Sequence, residues 1–308
     1  MNVGSRRNAV LLLAHGSPDS ADEIPEYLQR VTSGRPLPPQ VVQEIAHRYQ
    51  LVGFSPLTCW TMKQGQQLSS ELGVPVYVGM RNWKPFIPDV LAQMASDGID
   101  HAVVICLAPQ NSRTSVGLYR RGVESNGDLP FTFDFVESWH DHPKLVKAFA
   151  EKFIAGLQAA HREAGSELPV IFTAHSVPQR TISEGDPYQE QALRTAELVA
   201  AQVGLKPDRW TFAFQSQGMS GGPWIGPTVE ETILKLKRAG ATGVFVDPIG
   251  FLCDHVEVLY DIDIAFKQFA EKEGLRLWRA ASLNESLTLT AALADIARSR
   301  LSALRSSV

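Results

Sequence analysis

Short apolar segments alternate with longer amphipathic segments along almost the whole chain. The apolar segments of strand length lie at 10–14, 74–80, 102–107 and 131–136, and again at 169–173, 210–214, 243–248 and 276–279. Strands that alternate with helices of about 10–15 residues are typical of βαβ units and parallel sheets. We therefore predict an α/β fold of two Rossmann-like domains, each with a parallel four-stranded sheet flanked by helices.

The segments between the strands have the apolar spacing of helices. The predicted helices lie at 58–72, 87–97, 114–124, 143–164, 188–203, 228–239, 266–273 and 287–304. The polar segment 19–50 contains a glycine and three prolines in its middle and predicts helix, loop, helix. We place the domains at 1–140 and 141–284, and the C-terminal helix, 285–308, is a candidate to pack back on the first domain.

The same short sequence ends a predicted strand in each half of the chain. Val10 to Pro18 and Val170 to Pro178 both run from an apolar strand into Ala-His and a proline turn, so that His15 and His175 take equivalent positions. Ligands of open α/β sheets bind at this carboxyl end of the strands. A histidine at a strand end is nevertheless more often a hydrogen-bonded structural residue.

Composition narrows the class of protein. The 308 residues include 44% hydrophobic and 20% charged residues, which is typical of a globular protein. The net charge of −4 gives no basic face for nucleic acid, and no apolar run approaches the roughly 20 residues of a membrane helix. Three scattered cysteines without a C-x-x-C pair argue for a reducing compartment and against an iron–sulfur cluster. We expect a cytoplasmic protein without membrane insertion.

A segment rich in carboxylates, 244–263, follows the third strand of the second half. Asp254, Glu257 and Asp261 have the spacing of one helical face. One interpretation is an exposed acidic stripe favoured by the helix N-terminus. The other is that a carboxylate faces His175, because the stripe opens at the carboxyl end of a strand and apolar residues surround it. Oxygen and nitrogen ligands of this kind suit a divalent first-row metal or proton transfer.

A long loop, 215–227, follows the second strand of the same half. It is rich in glycine and contains Trp224, whose flat ring suits the wall of a planar-ligand site, although an ordinary surface loop has the same composition. Neither G-x-G-x-x-G after a strand nor a P-loop sequence occurs, so nucleotide binding has little support.

Motifs along the second half, in order, resemble the ferrochelatases, the enzymes that insert ferrous iron into a porphyrin. They are Thr173 to Pro178, Gly185 to Tyr188, Phe214 to Gln217, Pro223 to Pro227, and Gly250 to Asp261. The resemblance covers essentially the whole chain. It implies two Rossmann-like domains with the porphyrin in a cleft between them, as in the class II chelatases. It also implies that His175 and Glu257 are the catalytic residues and the metal ligands, facing each other across the porphyrin centre.

Within that family the chain is most similar to the Gram-positive-type coproporphyrin III ferrochelatases. The segments that carry this similarity are Leu107 to Pro109, Ser115 to Arg121 and Glu137 to Trp139. The similarity implies a set of residues that bind the porphyrin propionates: Arg48, Tyr49, Ser55 and Tyr119.

Departures from that branch affect the predicted site. His15 stands where the branch usually has a tyrosine, which implies a porphyrin contact and an axial ligand to haem iron on the face opposite His175. An arginine of that branch is replaced near Thr32, which affects part of the expected propionate contact. Ala265 replaces an acidic residue, so Asp261 is the remaining candidate for an outer metal ligand.

The chemistry fits these residues. A porphyrin loses two pyrrole protons as the metal enters, and a neutral His175 can accept a proton near physiological pH while Glu257 binds metal or relays protons. The sequence does not decide how the two residues divide these roles. We expect no cofactor beyond the substrate Fe(II), with coproporphyrin III and ferrous iron as the partners, and we favour a monomer.

Alternative functions stay open at this point. One is insertion into protoporphyrin IX, or of cobalt into another tetrapyrrole. Enzymes of the protoporphyrin type resemble one another in an apolar lip, whereas the matching segment here, 21–30, is mostly polar. A non-enzymatic haem or tetrapyrrole carrier, with His15 holding finished haem, is the other alternative, and the presence of both His175 and Glu257 argues against it.

Overall fold

The computed structural model describes residues 6–218 and 222–305. Its strands form two separate four-stranded parallel sheets, with orders β2-β1-β3-β4 and β6-β5-β7-β8. The strands are β1 Asn8–Ala14, β2 Val76–Met80, β3 His101–Cys106, β4 Thr132–Val136, β5 Val170–His175, β6 Trp210–Gln215, β7 Gly243–Asp247 and β8 Arg276–Arg279. The predicted fold class, two Rossmann-like α/β domains, is confirmed.

Helices flank both sheets and connect successive strands. They are α1 Ile24–Val31, α2 Pro39–Leu51, α3 Leu57–Leu72, α4 Ile87–Ser96, α5 Val116–Glu124, α6 Pro143–Ala164, α7 Gln179–Ser183, α8 Tyr188–Gln202, α9 Val229–Arg238, α10 Val256–Leu259, α11 Lys267–Lys272 and α12 Leu287–Arg305. The predicted helix, loop, helix at 19–50 is confirmed as α1 and α2, and Pro39 takes the first position of α2 because its fixed φ suits that place. A segment of π-helix, Asp261–Phe266, lies between α10 and α11.

The chain forms two compact units. The first contains 1–109, 115–139 and 285–308, and the second contains 110–114 and 140–284. In the first unit α12 packs on α3, where the Thr290 hydroxyl bonds the Gln67 amide at 3.2 Å. Each unit has its own core, since β1 and β3 are buried along almost their whole length in one, as are β5 and β7 in the other.

The two sheets have the same topology, which follows from the duplicated sequence pattern. In each sheet the first strand in the chain lies between the second and the third, so the direction of winding reverses beside β1 and beside β5. Ligands of doubly wound sheets bind at the carboxyl end of the strands at such a reversal. His15 follows β1 directly and His175 ends β5, so each histidine lies at the expected end of its sheet.

Across residues 6–218 and 222–305, no helix is both long and apolar enough to cross a membrane.

Candidate active site

In the second unit, a close approach of two chain segments brings the carboxylate segment to His175. The backbone N–H of Gly250 donates to the Thr173 carbonyl at 3.2 Å, and a side chain at Gly250 would meet the Cβ of Ala174 at 2.6 Å. Only glycine permits that approach. The loop after β7 can therefore cross the end of β5 and lead into α10, which carries Glu257.

Glu257 lies between two histidines. His175 Nε2 is 3.2 Å from Glu257 Oε1, and His255 Nε2 is 3.3 Å from Glu257 Oε2. The other nitrogen of each ring faces a backbone carbonyl, that of Ser176 for His175 and that of Cys253, at 3.0 Å, for His255. The side chains of His175 and Glu257 are 31% and 38% exposed, which leaves the pair open to a substrate, whereas His255 is 13% exposed.

The electrostatics of the pair favour its charged form. Burial opposes a charge on His175, but the Glu257 carboxylate, the hydrogen bond to Ser176 and the nearby Asp261 outweigh it and raise the pKa of His175 to about 9. Burial likewise opposes ionisation of Glu257, yet His175 and His255 hold the pKa of its carboxyl well below the ordinary value. These shifts favour imidazolium and carboxylate in the isolated pair, so His175 has to lose its proton before it can act as the base that the sequence analysis expects.

Polar residues at the end of the neighbouring strand β6 hold the Glu257 segment from one side. Gln215, paired in register with His175, donates its amide N–H to the backbone carbonyl of Glu257 at 2.8 Å. Ser216 has a left-handed backbone (φ 60°) and donates its hydroxyl to the Asp261 carboxylate. The Trp224 ring, predicted as a wall for a planar ligand, lies 6.4 Å from the His175 ring between centroids. Residues 219–221 of its loop lie outside the described residues.

The acidic stripe of the sequence analysis is divided in the structure. Asp254 precedes α10, and its carboxylate accepts a hydrogen bond from Arg279 Nη2 at 3.2 Å. The same carboxylate accepts hydrogen bonds from the Ser282 hydroxyl at 2.7 Å and the Asn284 amide at 2.8 Å. The prediction that Asp254, Glu257 and Asp261 share one helical face is therefore wrong for Asp254. The physical reason is the half-buried Arg279, which needs carboxylate partners and draws in Asp254.

In the first unit, polar neighbours hold the ring of His15. Its Nδ1 lies 3.1 Å from the Gly16 carbonyl and 3.3 Å from the Tyr27 hydroxyl. Its Nε2 lies 3.0 Å from the amide of Asn82, which is satisfied with its oxygen facing His15 and Arg81. Gly16 has φ 84°, and a side chain there would meet Trp83 backbone nitrogen at 2.8 Å, so the turn after His15 also requires glycine.

The structure places the predicted propionate-binding residues in the same unit. Tyr49 is buried, and its hydroxyl accepts a hydrogen bond from the Ser17 hydroxyl at 3.3 Å. Its ring centroid lies 6.2 Å from that of Tyr27, whose hydroxyl contacts His15. Arg48 precedes it on α2, is 39% exposed and pairs with Glu44. The other two predicted residues, Ser55 and Tyr119, are both buried, in the turn before α3 and on α5 respectively.

Sequence analysis missed polar residues that complete both sites. Arg81 and Asn82 follow β2, where Asn82 contacts both His15 and Arg81. Gln215 ends β6, Ser216 follows it, and both reach the Glu257 segment. The signal was available, because each pair lies at the carboxyl end of the strand beside β1 or β5. His255 was also missed, although it lies two positions before Glu257.

Within 6–218 and 222–305, no three His, Cys, Asp or Glu side chains are grouped so as to hold a metal ion. Among the candidate metal ligands, His175 and His255 each contact one oxygen of the Glu257 carboxylate.

Comparison with known proteins identifies the family. The family model described as Ferrochelatase matches residues 7–301. The chain belongs to the ferrochelatase family. A ferrochelatase from Acidobacterium capsulatum is 55% identical over 316 residues, covering 98% of this chain and 97% of that protein. A coproporphyrin III ferrochelatase from Geobacillus sp. is 32% identical over 313 residues, covering 97% and 99%.

Solved structures support the fold independently. The sirohydrochlorin chelatase SirB from Bacillus subtilis, in complex with cobalt, aligns with a TM-score of 0.55 at 12% identity, covering 95% of this chain and 94% of that one. At this identity the likeness shows the fold alone.

Because the family is shown from sequence, the protein is an enzyme of haem biosynthesis that inserts metal into a porphyrin, and the alternative of a non-enzymatic carrier is set aside.

Proposed function

We propose that this ferrochelatase inserts Fe(II) into coproporphyrin III to give coproheme. The observation that carries the proposal is the polar surface of segment 21–30. This segment occupies the position at which protoporphyrin-type enzymes have an apolar lip. Its apolar residues Ile24 and Leu28 are buried, whereas Asp22, Glu26 and Arg30 are exposed. A surface of this kind suits a soluble porphyrin with four carboxylates. The coproporphyrin III ferrochelatases among the relatives, which span nearly the whole chain, agree with it.

We assign the chemistry to His175 and Glu257. Glu257 is an ionised carboxylate that can receive the substrate Fe(II), with Asp261 held nearby by Ser216. When the carboxylate takes the metal, it no longer stabilises the proton on His175, so that proton passes to solvent at the exposed part of the ring. The neutral imidazole can then accept the two pyrrole protons one after the other and release each to solvent. This order of events reconciles the charged pair with the need for a base.

His15 is assigned as the axial ligand of the iron in the product, with Arg48, Tyr49, Ser55 and Tyr119 as propionate contacts. Imidazole is a strong ligand for haem iron. His15 Nε2 faces the Asn82 amide at 3.0 Å, so ligation of iron by Nε2 requires that amide to move away.

The remaining assignments follow from the sequence. We propose that the enzyme needs no resident cofactor and no iron–sulfur cluster, and the three cysteines are free. Free cysteines suit a reducing compartment, and we place the enzyme in the cytoplasm. A monomer stays a prediction.

The test is an anaerobic Fe(II) insertion assay with coproporphyrin III and protoporphyrin IX. Two additional carboxylates, each worth roughly 1.5–3 kcal/mol when bound by charged donors, predict a kcat/KM for coproporphyrin III at least about tenfold higher. A higher kcat/KM for protoporphyrin IX would assign the enzyme to the other branch, without affecting its membership of the family.

A further inference from the structure

Arg81 occupies a sheltered position at the end of the first sheet. It directly follows β2, and its backbone N–H donates to the Ala14 carbonyl at 3.0 Å, which fixes it beside the start of the His15 turn. Its guanidinium carbon lies 6.0 Å from the centre of the buried Tyr119 ring. The side chain is partly buried, and Asn82 beside it is buried. Arg81 is therefore held against two residues of the porphyrin-binding set, His15 through Asn82 and Tyr119 directly.

The charge of Arg81 has no counter-ion among residues 6–218 and 222–305. No carboxylate oxygen of these residues lies within 4.0 Å of the guanidinium nitrogens, which is the limit for an ion pair. Besides burial, the groups that affect the pKa of Arg81 are Tyr119, Tyr27 and another cation, Arg121. Burial and Arg121 both lower the pKa of the guanidinium. Arg279 in the second unit shows the contrast, because it is similarly sheltered and binds two aspartates.

A sheltered cation without a carboxylate is costly to the folded protein. Asn82 relieves that cost in part, because its amide oxygen accepts from Arg81 Nη2 at 3.2 Å and Nε at 3.3 Å. These bonds orient the guanidinium and use one edge of it. Among residues 6–218 and 222–305, no protein acceptor lies within hydrogen-bonding distance of the N–H groups on Nη1, so an anion supplied from outside would complete the site.

We propose that Arg81 binds a carboxylate of the porphyrin substrate, as a further propionate-binding residue beside Tyr119. The planar guanidinium matches a carboxylate with two parallel hydrogen bonds. This inference rests on the proposed function, in that it takes the substrate to be a carboxylated porphyrin.

The experiment uses the full-length enzyme and free-base porphyrins, with binding followed by fluorescence at several salt concentrations. Arg81→Gln is expected to raise the Kd for coproporphyrin III about tenfold or more and to flatten its salt dependence, because one charged contact is lost. Arg81→Lys keeps the charge but lacks the planar guanidinium, so its Kd should lie between those of wild type and Arg81→Gln. The matched control is Arg120→Gln on α5, whose guanidinium already pairs with Glu124 and Glu137, and its Kd should stay within about twofold of wild type.

A thermal melt without porphyrin separates recognition from structure. Removing a cation that has no counter-ion should leave the Tm of Arg81→Gln within about 3 °C of wild type or raise it. An unchanged Kd overturns the inference, as does a variant that fails to fold or that melts far below wild type, since Arg81 would then be structural. If wild type prefers protoporphyrin IX, the proposed substrate fails, whereas a weaker Kd of Arg81→Gln for its two propionates would still support Arg81.

Discussion

At the scale of single residues, the second unit places an acid and a base in direct contact where a substrate can reach them. The 3.2 Å contact between His175 and Glu257 shifts the pKa values of both groups in opposite directions, which is the behaviour expected of residues that exchange protons or bind a cation. His255 adds a second hydrogen bond to the carboxylate and so fixes its orientation.

We expect His175→Ala and Glu257→Gln each to lower kcat for iron insertion by at least about 10²-fold, because each removes a group that handles a proton or the metal. Anaerobic steady-state kinetics measure this. His175 ends β5, Glu257 lies on α10, and both side chains are partly exposed, so both variants should still fold and lose only the part of the Tm that comes from their ion pair. Near-normal turnover of His175→Ala would contradict the assignment, and a large loss of Tm instead would indicate a structural histidine.

Stability should depend on pH through the same pair. The pKa of His175 is raised from 6.5 to about 9, so the stabilisation by its proton is complete below pH 6.5 and is lost as pH rises through about 9. The pKa of Glu257 is lowered, so its contribution is present above its ordinary value of 4.5 and is lost in acid below that. The Tm difference between wild type and His175→Ala is expected to be largest near pH 5–6.5 and to shrink toward pH 10. A difference that grows above pH 9 would contradict the ion pair.

At the scale of elements, a short irregular segment carries most of the chemistry and needs support from both sides. From Asp254 to Phe266 the chain passes from loop to α10 and then to π-helix. The end of β6 holds the segment through Gln215 and Ser216. On the other side Arg279, the last residue of β8, binds Asp263 with two hydrogen bonds, of 2.6 and 2.8 Å, and Asp254 with one.

Removing Arg279 should therefore loosen the whole segment. Arg279 is 15% exposed, and Arg279→Ala leaves two carboxylates without their cation, which is expected to lower the free energy of unfolding by about 3 kcal/mol. Urea unfolding of the full chain measures this.

The matched control lies on the same strand. Arg276 pairs with Glu163 at the surface and is 59% exposed, so Arg276→Ala should lower the free energy of unfolding by at most about 1 kcal/mol. Equal losses for the two arginines would show that the Arg279 contacts do not support the segment more than a surface pair does.

At the scale of the whole molecule, a duplicated framework carries two different sites. Both sheets have the same strand order, and a histidine directly follows β1 in one and ends β5 in the other. His175 faces a carboxylate, whereas His15 contacts a tyrosine hydroxyl, an amide and a backbone carbonyl. The same topology therefore places a histidine against a carboxylate in one unit and a histidine against a tyrosine and an amide in the other.

This difference predicts different effects of the two histidines. His15→Ala should keep substantial iron insertion, because the acid–base pair lies at His175, but it should shift the absorption spectrum of the bound iron porphyrin and weaken its binding. Absorption spectra and a product titration measure both effects. An unchanged spectrum and affinity would show that His15 serves only the turn, through Gly16 and Tyr27.

The sequence by itself determined the fold class, the strand positions and the identity of the central pair. Continuous apolar strands and intervening helices report burial on both faces of a sheet, and that pattern is local to each element. The placement of His15 and His175 followed from the same reasoning, because the carboxyl end of a parallel strand is readable from where its apolar run stops. The motif from Gly250 to Asp261 pointed to Glu257.

Only the tertiary structure decided which side chains meet and in which direction their contacts shift the pKa values. Helical spacing put Asp254 beside Glu257, but a partner distant in sequence, Arg279, draws it away. The proton on His175 depends on the distance to Glu257, and the unpaired charge of Arg81 depends on which residues surround it. Contacts between strands that are far apart in sequence leave no periodic signal, so the electrostatics of the site could not be predicted from the order of its residues.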